Sequence, residues 1–161
     1  MKVKRTKEFK ILKQFAKKYA PTATFKLAEE CYYDNELNEL GFCFDQTDEM
    51  FDKHIRIEHK FPYIDKINLN LFSLLHEIGH YYTMDECDES EEDELTRTLF
   101  SVVPYEVAYC DYQITRAYFN LDMEWQATEW AINFCKENWV LVQILSRKLD
   151  EAKEKYFKKK K

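Results

Sequence analysis

His76, Glu77 and His80 stand in the order His-Glu-Ile-Gly-His. On a helix, positions i and i+4 share one face, a turn apart, so two imidazoles at that spacing reach a single metal ion. Glu77 follows the first imidazole and is placed to take a proton from water at the metal's open position. Together the three side chains describe metal-assisted hydrolysis. The pattern is short, and two histidines on a solvated helix face would match it equally well. A working site requires more: a helix, a buried setting and a third protein ligand.

From about Asn68 to Tyr82 the apolar residues Leu71, Leu74, Leu75, Ile78 and Tyr82 recur at helical period and form a core stripe. Ser73, His76, Glu77, His80 and Met84 share the adjacent face, which suits a helix forming the floor of a cleft. Gly79 is one of only 2 glycines. Inside a helix glycine costs about 1 kcal/mol relative to alanine. Close approach by another backbone explains it; a merely tolerated glycine is the plainer reading.

A candidate third ligand lies downstream. Met123, Ala127, Trp130, Ala131 and Phe134 repeat at helical period, and Glu124 shares a side with Ala127, Thr128 and Ala131. Small residues there let this helix approach the histidine helix closely, which would bring the Glu124 carboxylate to the metal. Asp122 is the expected N-cap. Glu124 reads equally well as a first-turn acid favoured by the helix dipole.

His76 to His80, followed by Glu124-x-x-Ala127-Thr128-x-Trp130-Ala131, resembles the zincin-like metallopeptidases of the ImmA/IrrE type, common in phages and mobile elements. That family pairs a HExxH helix with a later E-x-x-A-[ND]-x-[FW]-A helix. The resemblance covers the middle and C-terminal half of the chain. It implies zinc held by His76, His80 and Glu124, with Glu77 as general base. It also implies a protein or peptide substrate inside the cell, such as a phage repressor. Thr128 stands where the family carries Asn or Asp, and Ile132-Asn133-Phe134-Cys135 replaces its Leu-Met-Pro-like turn.

With 161 residues, the chain is read as one domain, 1–161, large enough for a core. No apolar run approaches a bilayer span, and no apolar stretch follows the charged start, so neither a membrane partner nor a secretory signal is expected. The net charge of −6 disfavours general nucleic-acid binding. The 5 cysteines (Cys31, Cys43, Cys87, Cys110, Cys135) form no C-x-x-C and are expected as free thiols in the reducing cytoplasm. Cys87 follows the metal helix and, as a thiolate, could reach the metal; a loop cysteine without a role is the plainer reading. The carboxylate-rich run from Asp85 to Glu94 repels itself and is expected as an exposed loop.

These residues need a scaffold. Phe9, Leu12, Phe15, Ala16 and Tyr19 mark an amphipathic helix over about 7–19, ended by Pro21. Thr24 to Tyr33, Leu40 to Phe44 and His54 to Phe61 read as strands, the last from alternation of Ile55, Ile57 and His59 with Arg56, Glu58 and Lys60. Pro104 opens a helix through about Tyr118, and a final helix spans about Asn138 to Tyr156. The expected class is α+β: a minimal zincin-like fold, its small, mainly antiparallel sheet packed on the HExxH helix, with additional C-terminal helices. An edge strand, the third or its neighbour, would border the cleft. His54 and His59 are expected at the surface or core edge. Tyr81, Tyr82 and Tyr118 are expected as packing aromatics, although each could donate to an oxyanion. Arg116 reads as a surface residue. Two functions follow: a zinc-dependent peptidase, or a non-catalytic, metal-stabilised protein-binding module.

Overall fold

The computed structural model describes residues 5–46, 48–87, 94 and 111–159. Its architecture is α+β, with six helices and one three-stranded sheet among those residues. The elements run α1 (Thr6–Tyr19), β1 (Thr24–Leu27), β2 (Tyr32–Asp34), β3 (Glu39–Phe42), α2 (Glu49–Ile57), α3 (Leu69–Thr83), α4 (Tyr112–Phe119), α5 (Asp122–Glu137) and α6 (Trp139–Lys159). A short 3₁₀ turn, Pro62–Lys66, leads into α3. No helix among the described residues is long and apolar enough to cross a membrane.

The sheet is mixed rather than mainly antiparallel. Its order is β1-β3-β2, with β3 parallel to β1 and antiparallel to β2. The expected strand from Thr24 to Tyr33 is two short ones, and β3 is inserted between them. The β2–β3 hairpin turns through an Asx turn: Asp34 Oδ1 accepts from the N–H groups of Glu36 and Leu37. Asn38, at φ 50°, takes the left-handed position that follows.

The first half of the expected strand at His54–Phe61 is helix, the end of α2, and the rest is turn and irregular chain. Asp48 caps α2 by accepting from the N–H groups of Met50 and Phe51. Phe51, His54 and Ile55 then fall at helical spacing; His54 and Ile55 are fully buried. The apparent alternation was a coincidence of composition: Ile57 is 52 % exposed.

Leu12, Phe15 and Ala16 of α1, Leu40 and Phe42 of β3, the apolar stripe of α3, Ala131 and Ile132 of α5, and Val142 and Leu149 of α6 form one core. Against it stands a polar hub at Asp45. Arg5 gives two hydrogen bonds to Glu8 and one, at 2.6 Å, to Asp45 Oδ2. Lys153 donates to Asp45 Oδ1, and Asn70 both donates to and accepts from Asp45. Asp45 thus ties α1, the exit of β3, α3 and α6 together. Burial alone would raise its pKa, but the hydrogen bonds from Arg5, Lys153 and Asn70 outweigh that and hold it below the usual carboxylate range. A depressed folded pKa adds stability above the unfolded pKa of about 4, and that stability is lost as pH falls through the folded value. Asp45→Asn, which tolerates the same left-handed backbone, is therefore expected to be less stable than the native protein in urea at pH 7. The gap should narrow as the pH drops below about 4; a gap independent of pH would contradict the assignment.

The expected helix start at Pro104 and most of the acidic run lie outside the described residues, as does Cys110. Within that run, Met84–Glu86 forms a short 3₁₀ turn, and Asp85 and Glu94 are exposed.

Candidate metal centre

α3 carries the histidines. Asn68 caps it by accepting from the Leu71 N–H at 3.1 Å. Leu71, Leu74, Leu75 and Ile78 are buried as the stripe requires, whereas Tyr82 is half-exposed and stacks on Trp130 at 5.1 Å. α5 lies directly across, and the α3–α5 pairing is the most extensive among the described elements. Ala127, Thr128 and Ala131 on the facing side of α5 are fully buried. Gly79 is the reason for the closeness. A Cβ there would run into the carbonyl oxygen of Ala127 and lie 2.9 Å from its Cα. Those are backbone atoms, which cannot swing aside as a side chain can, so any larger residue would force the two helices apart.

That approach brings Glu124, in the first turn of α5, onto the histidine face. Leu121, rather than the expected Asp122, occupies the N-cap and supplies no side-chain cap; Asp122 is the first helical residue. Glu124 Oε2 lies 2.9 Å from His76 Nε2 and 3.2 Å from His80 Nε2. One ligand atom from each of the three residues falls within 4.8 Å of the others. The three are 5 %, 5 % and 6 % exposed, so the cluster is buried. Two imidazoles separated by one helical turn and one distant carboxylate converge here.

Thr128 sharpens the chemistry. Its hydroxyl donates its single proton to the Glu124 carbonyl at 2.9 Å. Toward His76 Nδ1, at 3.2 Å, the same oxygen can then only accept. Nδ1 therefore carries a ring proton, which leaves Nε2, 2.9 Å from Glu124 Oε2, as the nitrogen that would bind an ion. Outer-sphere partners fix the tautomers of metal-bound histidines in the same way. Two imidazole nitrogens and one carboxylate oxygen also form a donor set suited to zinc. Burial alone would raise the pKa of Glu124. The charge on His80, with hydrogen bonds from His76 and His80, overrides this and keeps the carboxyl ionised far below its ordinary range.

Glu77 sits beside the cluster, half-buried. Burial pushes its carboxyl above the ordinary range. The nearby His80 and His76 oppose this, and the carboxylates of Glu124 and Glu30 reinforce it. A carboxyl raised toward neutrality is suited to accept and return a proton. The start of β2 lies on this side of α3: the Cys31 thiol feels the charge of Glu77, and Tyr33 packs edge-on against Tyr81. β2 is an edge strand, paired only with β3 in the sheet. The edge was expected from the third strand segment, His54–Phe61, or its neighbour; β2 comes instead from the end of the first segment.

The remaining candidates separate clearly. Cys87 is outside the cluster, its thiol donating to the Thr83 carbonyl. Cys31, Cys43 and Cys135 are free. Burial pushes the Cys31 and Cys135 thiols up to about 12, so neither is a thiolate at neutral pH. Tyr81 shares a hydrogen bond with Thr22, and Tyr82 donates to the Tyr19 carbonyl. Arg116 pairs with Glu58. His54 and His59 are both buried, deeper than expected. His54 bonds Asn120, while His59 bonds Glu129 and stacks on Trp125 at 3.7 Å. Tyr118 does touch the cluster: its hydroxyl donates to Glu124 Oε1 at 3.1 Å.

No family model, curated protein or solved structure matches the chain. What speaks for a function is therefore the arrangement of side chains.

Proposed function

We propose that the chain is a zinc-dependent metallopeptidase of the zincin-like ImmA/IrrE type, hydrolysing peptide bonds of an intracellular protein. The observation that carries this reading is the convergence of His76, His80 and Glu124 in a buried setting, with Glu77 beside them. His76, His80 and Glu124 would hold the ion. When bound, zinc supplies Lewis acidity, which acidifies water and polarises a carbonyl oxygen. Thr128 keeps the His76 ring in the tautomer that directs Nε2 at the site. Glu77 accepts a proton from the attacking water as the C–O bond forms. It then delivers that proton to the departing amine as the C–N bond breaks. An extended peptide laid along the edge of β2 would gain backbone hydrogen bonds and pass close to Glu77.

A second reading draws on the same geometry. The ligands bridge α3 and α5, so an ion could clamp the two helices and serve a protein-docking module. A purely structural ion has no use for a carboxylate base beside it, so Glu77 next to the first histidine favours the peptidase. The test is cleavage of an unfolded protein pool by the zinc-loaded chain, by the chelated chain and after zinc is returned. Cleavage that is lost and then restored is expected. A chain that unfolds on chelation and cleaves nothing when loaded supports the clamp instead.

A further inference from the structure

Tyr118 does more than pack. It stands in the last turn of α4, half-buried, with its hydroxyl on Glu124 Oε1. The other oxygen, Oε2, faces both imidazoles. The two oxygens of one carboxylate are thereby assigned different partners. A terminal carboxylate torsion is broad and roughly two-fold, so an unrestrained group exchanges its oxygens or offers both. A donor fixed on Oε1 removes that freedom.

The donor is itself well held. The chain turns from α4 into α5 through Asn120 and Leu121, with the Leu121 N–H on the Tyr118 carbonyl at 3.1 Å and the Trp125 N–H on the Leu121 carbonyl at 2.8 Å. α4 is anchored to α2 on the same side. Arg116 Nε donates to Glu58 Oε1 at 2.6 Å, and Asn120 Oδ1 bonds His54 Nε2 at 2.9 Å, with His54 fully buried. Phe119 stacks on Phe51 with ring centroids 4.1 Å apart. The turn, the ion pair and the stacked rings place the phenol ahead of any ion.

We infer that Tyr118 is a positioning residue that locks Glu124 so that one carboxylate oxygen is presented for metal binding; this rests on the metal-centre reading above. Ligating carboxylates are commonly held by outer hydrogen bonds, and removing such a partner costs about 10–100-fold in metal affinity. The experiment is zinc titration against a chromophoric chelator, together with the visible spectrum of the cobalt-loaded protein, for the native chain and Tyr118→Phe. The ring is retained, so the circular dichroism of the metal-free variant should match the native one. Zinc affinity should fall about ten-fold, and the cobalt spectrum should shift as the carboxylate is freed. The same substitution in a Glu124→Ala background should change neither, because the hydroxyl then has no ligand to hold. Native affinity and spectrum in Tyr118→Phe, or an equal loss in both backgrounds, would overturn the inference while leaving the metal centre intact. A native chain that binds no zinc would overturn both.

Discussion

Glu77→Gln is expected to lower peptide hydrolysis by a factor of about 10²–10⁴ while zinc still binds. Glutamine keeps the size and the hydrogen-bonding reach of the side chain but cannot accept and return a proton at neutral pH. The three ligand atoms belong to His76, His80 and Glu124, and none belongs to Glu77. Loss of turnover with retention of metal therefore separates the base from the ligands. The variant should also capture substrate, because its binding surface is intact and its proton carrier is not. A Glu77→Gln chain that cleaves as fast as the native one would reject the proposed mechanism. A chain that loses zinc as well would place Glu77 among the ligands.

Glu124→Ala has the second large effect. It removes the carboxylate of the cluster and leaves two imidazoles one helical turn apart. Zinc affinity should fall by more than about a hundred-fold, beyond the range for loss of an outer partner. The same change leaves the Tyr118 hydroxyl and His76 Nε2 without their carboxylate. The fold should nonetheless persist, because Gly79 and the buried Ala127 and Ala131 still seat α3 against α5.

Most of this centre was legible in the sequence because it is built from helical spacing. His76 and His80 lie one turn apart on a stripe that Leu71, Leu74, Leu75 and Ile78 define. The small residues Ala127, Thr128 and Ala131 marked the close approach of α5, and Gly79 marked the other side of it. Local periodicity carries such information directly. What it does not carry is contact between distant segments. The parallel pairing of β1 with β3 depends on β3 inserting between β1 and β2, and no feature of either strand announces it. The alternation around Ile55 and Ile57 gave the wrong period, although Asp48 was there to cap a helix. Arg5 read only as part of a charged start; it is 8 % exposed and bonded to Glu8 and Asp45. Thr128 was noticed for its size, and its hydroxyl between His76 and the Glu124 carbonyl follows only from three-dimensional placement. Tyr118 lies before the turn that opens α5, so its reach to Glu124 depends on that turn's geometry.

Zinc titration of the native chain beside its Glu124→Ala variant tests the central claim most directly. One tightly held ion per native chain is expected, with weak, readily stripped zinc in the variant. A native chain that takes up no zinc, or a variant that binds it as tightly as the native protein, would contradict the claim that His76, His80 and Glu124 form a metal centre.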